Sequence, residues 1–184
     1  MDTVFHIIIP LLAALAVLKG PKDRRTAILL SPLAVLPDID AFAGPHRVWA
    51  HNFLVVTVMP LSFILFAYLR KKEWLKGGFL ALFYLTTHIL FDIDSGIAYF
   101  WPLIDGAFLI QIPVQAEFEG SIPSIKFPCR FEYIESGPPP LTEAYIMSPW
   151  AAMLAVGIIT WLIIQITIRG WKGAIAYIGV GKGD

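Results

Sequence analysis

Residues 79–92 read Phe79-Leu-Ala-Leu-Phe-Tyr-Leu-Thr-Thr-His88-Ile-Leu-Phe-Asp92. A nearly unbroken apolar run ends in an imidazole and a carboxylate four residues apart. On a helix, positions i and i+4 share a face, so His88 and Asp92 point the same way. One metal ion can take both, or the carboxylate can bridge to a second ion. Polar groups of this kind are costly in an apolar environment, which marks them as a candidate functional site. Taken alone the spacing is a weak signal, because a helix-ending carboxylate and an interfacial histidine give the same pattern. The rest of the chain decides.

The chain has four histidines, and the other three, His6, His46 and His51, also lie in or beside apolar stretches. The 184 residues are 57% hydrophobic and 15% charged, less charge than a soluble domain usually carries. Long apolar runs extend from Val4 to Leu18, Phe53 to Leu69, Phe79 to Phe91 and Met147 to Ile168. Several approach the ~20 residues that cross a bilayer core. The expected fold is therefore all-α, a single multi-pass integral membrane domain over 1–184. The first run is preceded by Asp2 with no Lys or Arg, and no small-residue cleavage site follows it, so it reads as a retained helix. Cys129 is the sole cysteine, which excludes an intrachain disulfide and a thiolate metal cluster. Zero net charge gives no reason to expect a nucleic-acid partner.

Charge sorts along the chain. Lys19, Lys22, Arg24 and Arg25 form one group, Arg70, Lys71, Lys72 and Lys76 a second, and Arg169, Lys172 and Lys182 a third. Basic loops stay cytoplasmic, which puts the N-terminus outside and the C-terminus inside a cell membrane. Five transmembrane helices are expected, over 3–19, 24–37, 48–70, 74–94 and 147–169, with Pro32 kinking the short second one. His6 begins helix one, Asp38 and Asp40 end helix two, His46 and His51 lead into helix three, and His88 and Asp92 end helix four. All fall toward the outer side. The outer segment 95–146 contains two alternating stretches, Ile110, Ile112 and Val114 and then Phe127, Cys129, Phe131 and Tyr133. Period-two alternation predicts a β-hairpin turning at Glu119-Gly120-Ser121, acting as a lid or as an ordered surface loop.

Two further motifs join the first. In Leu36-Pro37-Asp38-Ile39-Asp40, the proline disfavours helical geometry at Leu36. In an extended stretch Asp38 and Asp40 point to one side, where they repel unless a cation neutralises them. The competing reading is an acidic helix exit facing water. In His46-Arg47-Val48-Trp49-Ala50-His51-Asn52, two candidate ligands flank an arginine suited to bidentate phosphate recognition. The competing reading of Arg47 is an interfacial arginine reaching for water. Asn52 is a candidate for orienting a ligand or binding substrate. His6 alone would read as a buried hydrogen-bonded histidine, and it joins the metal set because of its shared depth. Asp94 either supports a ligand or faces water. Trp49, Tyr99 and Trp101 fit an interfacial aromatic belt.

The candidate metal ligands are thus His6, Asp38, Asp40, His46, His51, His88 and Asp92. Three carboxylates among neutral imidazoles call for about two divalent ions. Paired ions activate water and clamp a phosphoryl oxygen. Mixed His and Asp ligands without thiolate point to zinc first, with manganese or iron as alternatives.

In order, these motifs are His6, Leu36-Pro37-Asp38-Ile39-Asp40, His46-Arg47 with His51-Asn52, His88 with Asp92, and Trp101-Pro102-Leu103. Together they resemble the YdjM-like family of membrane-bound, metal-dependent hydrolases over roughly residues 1–105. A more distant similarity is to zinc-dependent phospholipase C, whose later histidine and glutamate ligands this chain lacks, with no histidine after 88. The resemblance implies a hydrolase, and by the phospholipase analogy one that cleaves phosphoesters. The expected function is phosphoester hydrolysis of a lipid or lipid-like substrate at the outer leaflet. Arg47, Asn52 and Trp101 are the candidate substrate contacts, and Arg47, Asp40 and Asp94 the candidate catalytic groups. The alternatives are a metal-stabilised scaffold or binding protein without turnover and a metal or proton transporter. The second is disfavoured by the lack of ionisable residues in the inner halves of helices two to four.

Overall fold

A computed structural model of the chain describes residues 3–42, 46–111, 115–119, 122–126, 128–135 and 137–138, together with 153, 154, 156–161, 163, 164 and 167. It is mostly helical, with α1 at Thr3–Val17, α2 at Pro21–Leu30, α3 at Met59–Arg70 and α4 at Leu75–Phe91. A 3-10 helix, Ser31–Phe42, continues α2, and a π-helical turn, Leu54–Val58, leads into α3. Short 3-10 turns flank α4 at Lys72–Trp74 and Ile93–Ser95. Four strands follow: β1 Ala107–Gln111, β2 Gln115–Glu119, β3 Ile122–Lys126 and β4 Arg130–Ile134.

This overturns the expectation of five membrane-crossing helices. Among the described residues, only the segment Lys72–Ser95, 24 residues long, is long and apolar enough to cross a bilayer. The 15 residues of α1 rise about 22 Å, short of the ~30 Å hydrocarbon core. α2 spends its first turn on Lys22, Asp23 and Arg24. The apolar run in 53–70 is helical for only 17 residues from Leu54 to Arg70. Of the expected helix 147–169, the described residues between 153 and 167 are helical, and the rest lie outside the described residues. Strands are present beside the helices in the segment where a β-hairpin was expected, β1 pairing antiparallel with β4 and β2 with β3.

Local sequence explains the breaks. Gly20 and Pro21 end α1 and begin α2, with the proline in the first turn, where its missing N–H costs nothing. Arg24 Nε donates to Leu18 O at 2.7 Å and so caps the end of α1. The expected helix 24–37 is instead an α-helix that tightens at Ser31. The Ser31 amide reaches Ile28 O, the i−3 carbonyl, which leaves Ala27 O without its usual partner. Tyr84 Oη, fully buried on α4, donates to that carbonyl at 2.8 Å.

Small side chains let these elements close around α4. Ala14, Ala27, Ala34 and Tyr84 form one buried cluster, with Leu18, Leu30, Leu33, Leu80 and Phe83 packed against it. Val56, Leu85, Ile89 and Ile97 form a second. α3 meets α4 at Gly78, where an added Cβ would lie 2.7 Å from Ile64 Cγ1. After α4 the chain reverses at Gly96, whose φ of 77° suits glycine. Ile97 then bridges Phe108 through two backbone hydrogen bonds of 3.0 and 2.9 Å. This bridge ties the strands to the end of α4. β1 and β4 align Ala107 with Ile134 through Gln111 with Arg130, and β2 and β3 align Gln115 with Lys126 through Glu119 with Ile122. Ile112, Val114 and Phe127 of the expected hairpin lie outside the described residues, as do Gly120 and Ser121.

Candidate metal centre

Four parts of the fold deliver polar side chains to one point. His6 comes from the start of α1, and Asp38 and Asp40 from the 3-10 helix. His46, Arg47 and His51 come from the turn that precedes the π-helical segment, and His88 and Asp92 from the last turn and C-cap of α4. His6, Asp40, His51, His88 and Asp92 are buried, and Asp38 and His46 are partly exposed.

Hydrogen bonds fix the imidazole tautomers. A carbonyl or an ionised carboxylate can only accept, so the ring nitrogen facing it must carry the proton. His88 Nδ1 lies 2.7 Å from Ala34 O. His51 Nδ1 lies 2.8 Å from Asp40 Oδ2, and His46 Nδ1 lies 2.7 Å from Asp40 Oδ1. When neutral, each of the three rings leaves its Nε2 lone pair pointing away from these acceptors. Pro37 explains why Ala34 O is available. The i+3 amide that would reach that carbonyl in a 3-10 helix belongs to residue 37, and proline has none.

The Nε2 lone pairs converge. His51 Nε2 and His88 Nε2 face each other at 3.0 Å. Asp38 Oδ1 lies 3.4 Å from His88 Nε2, 3.8 Å from His51 Nε2 and 3.9 Å from His46 Nε2. Asp92 Oδ2 lies 3.8 Å from both His51 Nε2 and His88 Nε2. Two ligand atoms on a tetrahedral zinc, each about 2.05 Å from the metal, are themselves about 3.3 Å apart. The observed separations bracket that edge length. Lone pairs and carboxylates repel at this distance unless a proton or cation lies between them. A proton bridges one pair of atoms, whereas a metal ion takes four. The donor set of nitrogen and oxygen atoms is one that can hold a metal ion.

The groups of the cluster can hold a metal ion in two sets. Asp38, His46, His51 and Asp92 offer ligand atoms all within 4.8 Å of one another, and so do His6, His88 and Asp92. Asp92 belongs to both. Its Oδ1 is 3.2 Å from His6 Nε2, and its Oδ2 faces His51 and His88.

Asp40 has a different place from the one the extended-chain reading gave it. In a 3-10 helix residues two apart differ by about 120° in direction, so Asp38 and Asp40 diverge. Asp38 points among the Nε2 atoms. Asp40 lies behind the rings, accepting from His46 and His51 and, at 3.3 and 3.4 Å, from the amides of Val48 and Ala50. Burial opposes its ionisation, but the hydrogen bonds from His46 and His51 outweigh that and hold its carboxyl well below the usual range. With Oδ1 accepting from His46 and Oδ2 from His51 and the two amides, Asp40 orients ligand rings from behind and does not face the Nε2 atoms.

Arg47 adopts φ 65°, a left-handed conformation uncommon for a residue with a side chain. Ala98 N donates to its carbonyl at 3.1 Å and holds it there. In this conformation the guanidinium faces the cluster, with Nε 3.7 Å from Asp92 Oδ2 and Nη1 3.4 Å from Ser95 O. The other candidates are placed elsewhere. Asn52 is a helix cap: its Oδ1 accepts from Val55 N at 3.0 Å and its Nδ2 donates to Trp49 O at 2.7 Å. Asp94 is exposed, with Ser95 Oγ donating to it at 3.1 Å. No hydrogen bond or ion pair joins Trp101 to the cluster among the described residues; it is half-buried in the turn after α4. The sequence reading missed the carbonyls of Ala34 and Ser95, and Pro37 was the available sign of the first.

Comparison of the chain with protein-family models, with curated proteins and with solved structures gives no match in any of the three.

Proposed function

We propose that this protein is a metal-dependent hydrolase that cleaves a phosphoester in a lipid or amphiphilic substrate at a membrane surface. The observation that carries the reading is the convergence of tautomer-fixed His51 and His88 Nε2 atoms with the carboxylates of Asp38 and Asp92. Two divalent ions, zinc first, would suit the two sets that share Asp92. Bound there, they would supply activated water and polarise a phosphoryl oxygen. The chain's own groups do the rest. Asp40 keeps His46 and His51 aimed, Ala34 O keeps His88 aimed, and Arg47 places a cation at the edge of the cluster for a phosphate oxygen. The resemblance of the ordered motifs to the YdjM-like hydrolases is consistent with this chemistry.

Membrane location is part of the proposal. Large apolar side chains are exposed along α1 (Ile9, Leu12, Val17) and α3 (Leu61, Leu65, Phe66), and Phe42 is 92% exposed. Such surface marks a lipid or partner contact. The ends of α4 carry Lys76 in the first turn and His88 in the last, about 18 Å apart. The basic end would sit at the cytoplasmic face and the cluster toward the outer one.

The test is phosphate or phosphoalcohol release from a panel of lipid phosphoesters, with and without chelator. Activity that requires the metal, and that disappears together with metal content in His88→Ala and Asp92→Ala, supports the proposal. Turnover that persists without metal overturns it.

A further inference from the structure

We infer that the cluster is two unequal metal sites divided by the Asp92 carboxylate, a sealed one of His6, His88 and Asp92 and an accessible one of Asp38, His46, His51 and Asp92. The inference rests on the metal-dependent reading above and assigns different behaviour to the two ions.

Burial separates the sites at Asp38 and His46, while His51 of the accessible set is as buried as the sealed one. The side chains of His6, His88 and Asp92 are 1%, 0% and 3% exposed. Those of Asp38 and His46 are 27% and 13% exposed. The sealed side is covered by rings, since His6 lies 4.3 Å from His88 and 5.7 Å from Phe91 by ring centroids. The carboxylate reaches both sets, Oδ1 toward His6 at 3.2 Å and Oδ2 at 3.8 Å from both His51 and His88. Arg47 stands on the Oδ2 side.

The elements separate the sites too. His6 lies at the start of α1, and His88 and Asp92 at the end of α4, so an ion held there fastens two helices together. His46 and His51 lie in an irregular turn and share one anchor, Asp40. An ion on that side is reached by solvent and substrate without separating helices. Release from the sealed side requires α1 to move away from α4, and such local opening slows exchange. The accessible ion is therefore the one that metal supply controls and that substrate meets. The sealed ion stays with the fold.

The test uses the full chain in detergent, loaded with zinc and then challenged with EDTA, with retained zinc and Tm followed together. Two equivalents should leave in two phases, the second at least about tenfold slower than the first. The Tm should hold through the first phase and fall with the second. His46→Ala should remove the fast phase alone, and His6→Ala the slow phase alone. If His6→Ala does not fold, the two phases of the unaltered protein still decide. Both ions leaving in one phase, or His46→Ala abolishing the slow phase, overturns the inference and leaves the metal reading intact. A protein that takes up no zinc overturns both.

Discussion

At the scale of single residues, Asp40 shows how one carboxylate sets the chemistry of two imidazoles. It holds the Nδ1 protons of His46 and His51, and so decides which nitrogen each presents to the cluster. Asp40→Asn keeps the size but offers one acceptor and two donors, so one ring loses its anchor. Metal affinity should fall about 10–100-fold, as is usual when a group supporting a ligand is lost. A competition titration against a zinc chelator reads this, and unchanged affinity would mean the rings hold their orientation without Asp40. Most of the cluster was legible in the sequence because imidazoles and carboxylates are rare in apolar segments, and His88 and Asp92 lie one helical turn apart. The roles within it were not. Whether Asp38 or Asp40 faces the centre depends on a 3-10 path that only packing specifies, and Asn52 is spent on capping a helix.

At the scale of elements, the passage from α2 into its 3-10 continuation governs the site. Each place where the helix tightens or meets a proline releases a carbonyl, and α4 supplies the donors: Tyr84 to Ala27 O and His88 to Ala34 O. Tyr84→Phe should destabilise the protein by about 1 kcal/mol, the usual net value of one hydrogen bond, while zinc stoichiometry stays unchanged. Equilibrium unfolding in denaturant checks this; no change would mean Ala27 O finds another partner. Gly78→Ala should also destabilise. Overpacking costs about 1–3 kcal/mol, against a helix-propensity gain of about 1 kcal/mol, and Ile64 Cγ1 lies 2.7 Å from the new methyl. A raised Tm in that variant would show that α3 and α4 separate freely. Pro32 and Pro37 announced a break in the sequence, but not that the chain would coil on as a 3-10 helix through Phe42. Apolar runs were equally legible, yet they report composition. They do not fix how many residues rise in one continuous helix, and so five expected crossings reduce to one qualifying segment among the described residues.

At the scale of the whole molecule, a polar cluster is enclosed by helices whose outer faces are apolar. Val17, Phe42, Tyr68 and Leu69 are all more than half exposed, a surface of the kind that marks a lipid or partner contact, and the membrane placement proposed above is tested on it. The chain should float with phospholipid vesicles in a density gradient and remain with them through alkaline carbonate; recovery in the aqueous fraction would contradict the membrane placement. Because the cluster joins α1, the 3-10 helix and α4, zinc should stabilise the fold by linkage. At free zinc 100-fold above its Kd the gain is about 2.7 kcal/mol, seen as a metal-dependent rise in Tm.

The most direct measurement of the central claim is X-ray absorption at the metal edge of the zinc-loaded protein. Imidazole nitrogen and carboxylate oxygen are expected as nearest neighbours at about 2.0–2.2 Å, with no sulfur, and imidazole scattering should be lost in His51→Ala and His88→Ala. Failure to retain stoichiometric metal, or a spectrum unchanged by those two substitutions, would contradict it.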